Sequence, residues 1–328
     1  MKVLVTGGAG YIGSVTARRL LAEGHGVVVL DNLSQGHREG VPEGAELVVG
    51  DVCDAAVLDK VFAQGDFDAV MHFAADSVVS SSMTDPQRYF RTNVTGGLAL
   101  LDAMLRHGTK RLVFSSSAAV YGTPEEIPIR EDHSKEPVNS YGESKWLFER
   151  ILKWYGRAYQ LLHISFRYFN AAGAAYGIGE DHRPETHLIP NVLRAAQGPS
   201  NGVTIFGNDF PTSDGTCVRD YVHVDDIAAA HVLALGHLED MSGEVFNLGL
   251  GRGYSVQDVV DVTRQVTGVN LPVHVGPRRP GDPAALVASP ERARNLLGWR
   301  PQHTELIDII GSAWEWRRRH LDGYGSSL

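Results

Sequence analysis

The feature that most restricts this chain is a glycine turn set directly behind an apolar run. Val3-Leu4-Val5 leads into Thr6-Gly7-Gly8-Ala9-Gly10-Tyr11-Ile12-Gly13, and a helical pattern then extends from about Ile12 to Glu23. A strand that turns this tightly into a helix brings the helix N-terminus to the strand's carboxyl end, where main-chain N–H groups can meet an anion. Glycine is needed there because a Cβ would hold the backbone away from a pyrophosphate. The spacing is GxxGxxG, a variant of the dinucleotide fingerprint. It makes Gly7, Gly10, Tyr11, Ile12 and Gly13 cofactor-binding candidates.

The same strand-then-helix pattern recurs. Gly26-Val27-Val28-Val29-Leu30 ends in Asp31, Leu47-Val48-Val49 in Gly50-Asp51-Val52, Ala69-Val70-Met71-His72-Phe73 in Ala74-Ala75, and Leu112-Val113-Phe114 in Ser115-Ser116-Ser117. Continuous apolar runs alternating with helices predict an α/β fold with a doubly wound parallel sheet, covered on both faces and joined by right-handed crossovers. Ligands then sit at the carboxyl ends of the strands, where these polar residues gather. Asp31 stands about 20 residues beyond the fingerprint, where an acid binds ribose hydroxyls. A carboxylate there repels a 2′-phosphate, and no Arg or Lys follows in Asn32-Leu33-Ser34-Gln35-Gly36, which favours NAD over NADP. Asp51 is placed to face the adenine.

A sheet of this size needs a large core, and 43% apolar against 21% charged residues in 328 supplies one. The net charge of −9 disfavours nucleic acid or an anionic membrane as partner. With only Cys53 and Cys217, no CxxC and no Cys/His cluster at ligand spacing, neither a disulfide scaffold nor a metal site is expected. No apolar stretch reaches the roughly 20 residues of a membrane span, and Met1-Lys2 runs straight into a strand, so a cytoplasmic protein is expected. Beyond Phe169-Asn170 the pattern loosens. Residues 171–184 are rich in Gly and Ala, and 199–215 in Gly, Pro, Asn and Ser. The expected division is a dinucleotide domain over 1–170 and a smaller substrate domain over 171–328, with segments around 216–249 returning to the first. Arg317-Arg318-Arg319-His320 reads as favourable charge at a helix C-terminus.

Tyr141-Gly142-Glu143-Ser144-Lys145 opens another helical pattern, and i, i+4 spacing puts Tyr141 and Lys145 on one face. Together with Ser117 at a strand end, they form a catalytic constellation for hydride transfer at a carbinol. An alcohol gives up hydride readily only as its proton leaves, so a base is required. Lowering a phenol from about 10 to about 7 takes roughly 4 kcal/mol. A cation about 4 Å away supplies on the order of 4 kcal/mol at an effective dielectric near 20. Lys145 and a positive nicotinamide ring are expected to provide this together, with Ser117 sharing the proton.

These residues resemble the extended short-chain dehydrogenase/reductase family and, within it, the UDP-glucose 4-epimerases. The likeness covers nearly the whole chain through VTGGAGYIGS, LDNLS, HFAA, NVTGG, FSSSAAVYG, SYGESK, RYFNAAGA, TIFGNDFPTSDGTCVRDYVHV, VFNLG and PRRPGD. It implies a Rossmann-type sheet with a smaller C-terminal substrate-binding domain, a homodimer, and 4-epimerisation of a UDP-hexose on held NAD through a 4-keto sugar. It further implies that Asn32, Val52, Phe73, Ala74, Ala75, Asn93, Ser115, Tyr141, Lys145 and Tyr168 contact NAD. The UDP-sugar contacts it implies are Ser117, Tyr141, Asn170, His187, Leu188, Thr204, Ile205, Phe206, Arg219, Arg279 and Asp282. Guanidiniums at 219 and 279 suit a diphosphate.

The chain departs from the family at a few positions. Asp76-Ser77 follow HFAA where many relatives carry a lysine that helps hold NAD, so either retention is weaker or another donor substitutes. His187 replaces an asparagine, and Ala119 a threonine. Leu286 falls where the family varies its gate beside the sugar's 2-substituent, which leaves N-acetylated sugars open. A nucleotide-sugar 4,6-dehydratase is disfavoured because Ala118 and Ala119 carry no proton. A 4-epimerase of UDP-N-acetylglucosamine, UDP-glucuronate or a UDP-pentose would keep the same machinery. A non-catalytic regulator would have lost Tyr141 or Lys145.

Overall fold

The computed structural model describes residues 1–198, 202–279 and 281–325. Positions 199–201 of the expected loop and 280 of PRRPGD therefore lie outside the described residues. Five strands come in the expected places: β1 (Lys2–Thr6), β2 (Gly26–Asp31), β3 (Glu46–Val49), β4 (Ala69–His72) and β5 (Arg111–Ser117); a sixth, β6 (Leu162–Tyr168), was not read from the sequence. With Val245–Leu248 they form one sheet, ordered β3-β2-β1-β4-β5-β6 and then Val245–Leu248 on β6, every pairing parallel. The order reverses between β1 and β4, which opens the crevice in which Rossmann folds place their ligand.

The apolar runs have no polar alternation because both faces are covered. Val3, Val5, Val27, Val29, Ala69 and Met71 point to one core, while Leu4, Val28, Leu30, Val70 and Phe114 point to the other. Each fully buried Val or Leu contributes about 1.5–3 kcal/mol. The helix Tyr11–Ala22 packs against Val224–Leu235. The chain thus re-enters the first half twice after residue 216, by that helix and by Val245–Leu248.

The remaining C-terminal segments build a second lobe. Val218–His223 pairs with Gly253–Ser255, Ala285–Leu286 and Asn170–Ala172, and Val203–Phe206 pairs with Val273–Gly276. The helices Leu188–Gln197, Val256–Thr267 and Leu306–Arg319 close around Val192, Val259, Val260, Ile309 and Ile310. Asp220 ties this lobe together from inside. It is fully buried and accepts main-chain N–H bonds from Leu250 (2.8 Å), Gly251 (2.9 Å) and Ala288 (3.1 Å). Among the described residues no helix is long and apolar enough to cross a membrane.

Candidate active site

One cleft of about 950 Å³ runs from the glycine turn, across the carboxyl ends of β1, β2, β4 and β5, to the second lobe. The first helix opens onto it without a side-chain cap: Gly10 at its N-cap has no such bond, so the N–H groups of its first turn have no capping side chain. Two of the glycines are required by packing. A Cβ on Gly7 would come within 2.5 Å of Ala74 N, and one on Gly13 within 2.2 Å of Gly7 O. Asp31 is 8% exposed and holds the turn in place, its Oδ2 accepting from Ala9 N at 2.9 Å and its Oδ1 from Leu33 N at 2.8 Å. Asn32 donates to Asp51 Oδ2 at 2.9 Å, and Asp51 Oδ1 accepts from Cys53 N at 2.7 Å. Burial opposes ionisation of Asp51, but these bonds outweigh it and its carboxyl lies below the usual range. No positive side chain among the described residues pairs with Asp31. An open helix N-terminus followed by an unpaired acid fits a dinucleotide with free ribose hydroxyls.

Deeper in, the Ser140–Tyr159 helix places the reactive pair. Asn139 caps it by accepting from Gly142 N at 2.8 Å, which fixes the turn that carries Tyr141. Lys145 is 3% exposed and donates to Ser115 O at 2.8 Å. The Ser117 hydroxyl acts on the Tyr141 phenol and favours its ionised form. All four residues line the cleft, with Gly7, Gly10, Tyr11, Ile12, Gly13, Asp31, Asn32, Asp51, Val52, Phe73, Ala74, Ala75 and Tyr168. The electrostatics differ from the sequence expectation. Burial drives the Lys145 ammonium down to about 7, against the pull of Glu149. Burial also raises the Tyr141 phenol, and the Ser117 hydroxyl only partly offsets this. Lys145 Nζ lies 5.9 Å from the Tyr141 ring centre, and burial is the largest influence on the phenol.

Two of the expected contacts stand off the cleft wall. Asn93 is 3% exposed and does not line the cleft, because its amide is fully engaged. Its Oδ1 accepts from Asp76 N (2.8 Å), and its Nδ2 donates to Asp76 O (3.0 Å) and Ser144 Oγ (2.9 Å), tying the loop after β4 to the catalytic helix. Ile205 is 2% exposed, turned into the core of the lobe while its neighbours Thr204 and Phe206 face the cleft; the alternation of a strand sets this. Leu286 also stays off the cleft wall, packing against the cluster of Ala118, Val120 and Phe169.

The second-lobe wall carries Asn170, His187, Leu188, Thr204, Phe206, Arg219, Arg279 and Asp282. Arg219 donates to Val218 O (2.9 Å) and Pro283 O (3.0 Å) and pairs with Asp282 at 3.4 Å, while the Arg279 guanidinium lies 4.2 Å over the Phe206 ring. Asn170 donates to Asp220 O at 3.1 Å. Two groups escaped the sequence reading. Arg88 lines the cleft and is ion-paired with Asp76, so the acid that replaces the family's lysine brings a guanidinium with it. Glu180 and His182 stand beside His187 on the same wall, joined by Glu185. The search for Cys/His spacing passed over them because half of the group is glutamate.

The sheet order, the open glycine turn and the Tyr-Lys-Ser group define a dinucleotide-dependent enzyme of the short-chain type. The chain belongs to the NAD dependent epimerase/dehydratase family, which matches residues 3–249. It is 48% identical over 328 residues to the UDP-glucose 4-epimerase of Lacticaseibacillus casei, with 99% of each chain covered. It superimposes on the UDP-glucose 4-epimerase of Brucella ovis in complex with NAD at a TM-score of 0.92 and 44% identity, covering 96% of this chain and 97% of the other. The Bifidobacterium longum UDP-glucose 4-epimerase in complex with NAD+ and UDP gives a TM-score of 0.93 at 38% identity, covering 98% and 100%.

Proposed function

We propose that the chain interconverts UDP-glucose and UDP-galactose by 4-epimerisation, with NAD as its resident cofactor. One observation carries the reading: Tyr141, Lys145 and Ser117 share a single cleft with the uncapped helix at one end and Arg219 and Arg279 at the other. NAD supplies the hydride acceptor and donor for carbon 4. The protein's own part is proton handling and positioning. Tyr141 takes the 4-hydroxyl proton, holds it while the sugar is a 4-ketone, and returns it after the other face has been presented. Ser117, whose hydroxyl acts on the phenol, shares that proton. Lys145, held by Ser115 O, gives positive charge near the ribose and ring. Arg219 and Arg279 hold the diphosphate as guanidiniums. Ala118 and Ala119 offer no acid for a dehydration.

In this reading Gly7 to Gly13, Asp31, Asn32, Asp51, Val52, Phe73 to Ala75, Ser115 and Tyr168 surround NAD. Asn170, Leu188, Thr204 and Phe206 line the nucleotide-sugar side. Residues 1–170 with 224–248 act as the cofactor unit, and the remainder as the substrate unit. We further propose a cytoplasmic homodimer joined through the Ser140–Tyr159 helix, whose Trp154 (64% exposed) and Tyr159 (50%) offer apolar surface. Purified protein given UDP-galactose should yield UDP-glucose by chromatography with no net NADH. No product with NAD supplied would refute the assignment. Sedimentation as a monomer at micromolar concentration would remove the dimer.

A further inference from the structure

The segment ahead of the Leu188–Gln197 helix gathers four donor groups that proton transfer at Tyr141 does not use. Glu180, His182, Glu185 and His187 each bring one ligand atom inward, and these atoms all lie within 4.8 Å of one another. His187 Nδ1 stands 2.8 Å from both Glu180 Oε1 and Glu185 Oε1. His182 Nδ1 stands 3.2 Å from Glu180 Oε1 and 3.9 Å from Glu185 Oε2. Donors at about 2.0–2.2 Å around a tetrahedral ion are roughly 3.4 Å apart from each other, and the observed separations bracket that edge.

A second observation points to a ligand. The Glu185 side chain is 0% exposed, and its Oε1 is used up on Thr186 N, His187 N and His187 Nδ1, each at 2.8 Å. Its Oε2 is buried with no hydrogen-bond partner. A carboxylate oxygen shut away from water and left unpaired is costly unless a cation answers it.

We propose that Glu180, His182, Glu185 and His187 bind one zinc-class divalent cation through the two Nδ1 atoms and an oxygen of each carboxylate. Two imidazoles and two carboxylates suit zinc; magnesium and calcium call for a larger, all-oxygen shell. Two carboxylates also balance the double charge. Because Glu180, His182 and His187 line the cleft, the ion braces the wall that faces the proposed nucleotide sugar, and it claims the His187 ring as a ligand.

The test reads metal binding, without turnover, so it stands apart from the proposed epimerisation. Full-length protein stripped by a chelator is titrated with Zn²⁺ against a chromophoric competitor, and one equivalent per chain should bind. Glu185→Gln and His182→Gln should each weaken binding by more than the about 10–100-fold lost with an outer-shell partner. Co²⁺ loading of the unaltered protein should give the visible bands of a four-coordinate site, a readout that needs no variant. Failure of the unaltered protein to take up Zn²⁺ overturns the proposal. So does uptake that both variants, folded by circular dichroism, match, because it would then come from other histidines.

Discussion

Two helices of 12 residues each, one in each lobe, begin in opposite ways. Tyr11–Ala22 starts at Gly10 with no side-chain cap and faces the cleft. Val256–Thr267 starts with a full capping box, in which Ser255 Oγ accepts from Asp258 N at 2.9 Å and Asp258 Oδ2 accepts from Ser255 N at 2.8 Å. The second helix satisfies its own donors; the first leaves them for an anion, in keeping with a family that binds NAD. The same contrast holds at larger scale. The first lobe stands on a parallel sheet buried on both faces. In the second, short strands are fastened by buried carboxylates: Asp220 as described, and Asp226 at the seam, which accepts from Gln302 N (2.7 Å) and His303 N (3.0 Å).

The sharpest test of this division lies in the first lobe. Tyr141→Phe keeps the ring and removes the phenol proposed to take the substrate proton. Turnover should fall about 10²–10⁴-fold, while NAD stays bound because the uncapped helix and Asp31 are untouched. Turnover close to that of the unaltered protein would take the chemistry away from this lobe.

Acid should separate the lobes next. His72, driven to about 3 by burial with Lys145 adding to the effect, and His231, driven to about 4 by burial, are neutral inside the first lobe. His231 Nδ1 donates to Ile227 O at 2.9 Å, leaving Nε2 to accept from Tyr168 at 2.6 Å. Their folded pKa values lie below the unfolded value, so their stabilisation is complete above about 6.5 and fades as pH drops toward 4. Asp220 runs the other way. Burial raises it to about 6, so it favours the folded state most at low pH and loses that contribution as pH rises through 6. Hydrogen exchange corrected for intrinsic rates, compared at pH 7.5 and 5, should therefore loosen β4 and β6 before the strands around Asp220. His223, at about 4, ends the strand that carries Asp220 and offsets part of its effect there. Equal loosening of both lobes would defeat the contrast.

How much of this was readable from the sequence follows the same boundary. The strands β1 to β5, the glycine turn and the Tyr141–Lys145 helix were legible because each rests on local pattern: unbroken apolar runs, glycine spacing, an i, i+4 pair; β6 was not, because His163, Ser165 and Arg167 interrupt its apolar run. Ala285–Leu286 and Gly253–Ser255 were not, since two or three residues leave no room for periodicity. Asn93 and Ile205 stand off the cleft wall because a motif marks proximity to a site, while burial and hydrogen bonding decide which side chains line it. Arg88 was missed because its partner Asp76 lies twelve positions away on another element.

In the second lobe the proposed work is binding, so Arg219→Ala should act mainly on KM. Losing one charge-assisted contact of about 1.5–3 kcal/mol raises KM roughly 10–150-fold. Asp282 would then face the cleft unpaired, adding repulsion toward a diphosphate. A fall in kcat with KM unchanged would instead place Arg219 in the chemical step.

The smallest effect returns to the two helix starts. Ser255→Ala deletes the acceptor for Asp258 N and also the hydroxyl that donates to Asp214 Oδ2 at 2.5 Å, leaving that carboxylate oxygen without it. Loss of a cap costs about 1 kcal/mol, read as a lower urea midpoint at unchanged slope. NAD affinity should not move, because no first-lobe donor is touched. At the uncapped helix the corresponding experiment is addition of NAD, which should raise the midpoint of unaltered protein and Ser255→Ala alike by supplying the anion that Gly10 does not. If NAD stabilised neither protein, the uncapped N-terminus would not be a ligand site, and the contrast between the two helices would be one of sequence alone.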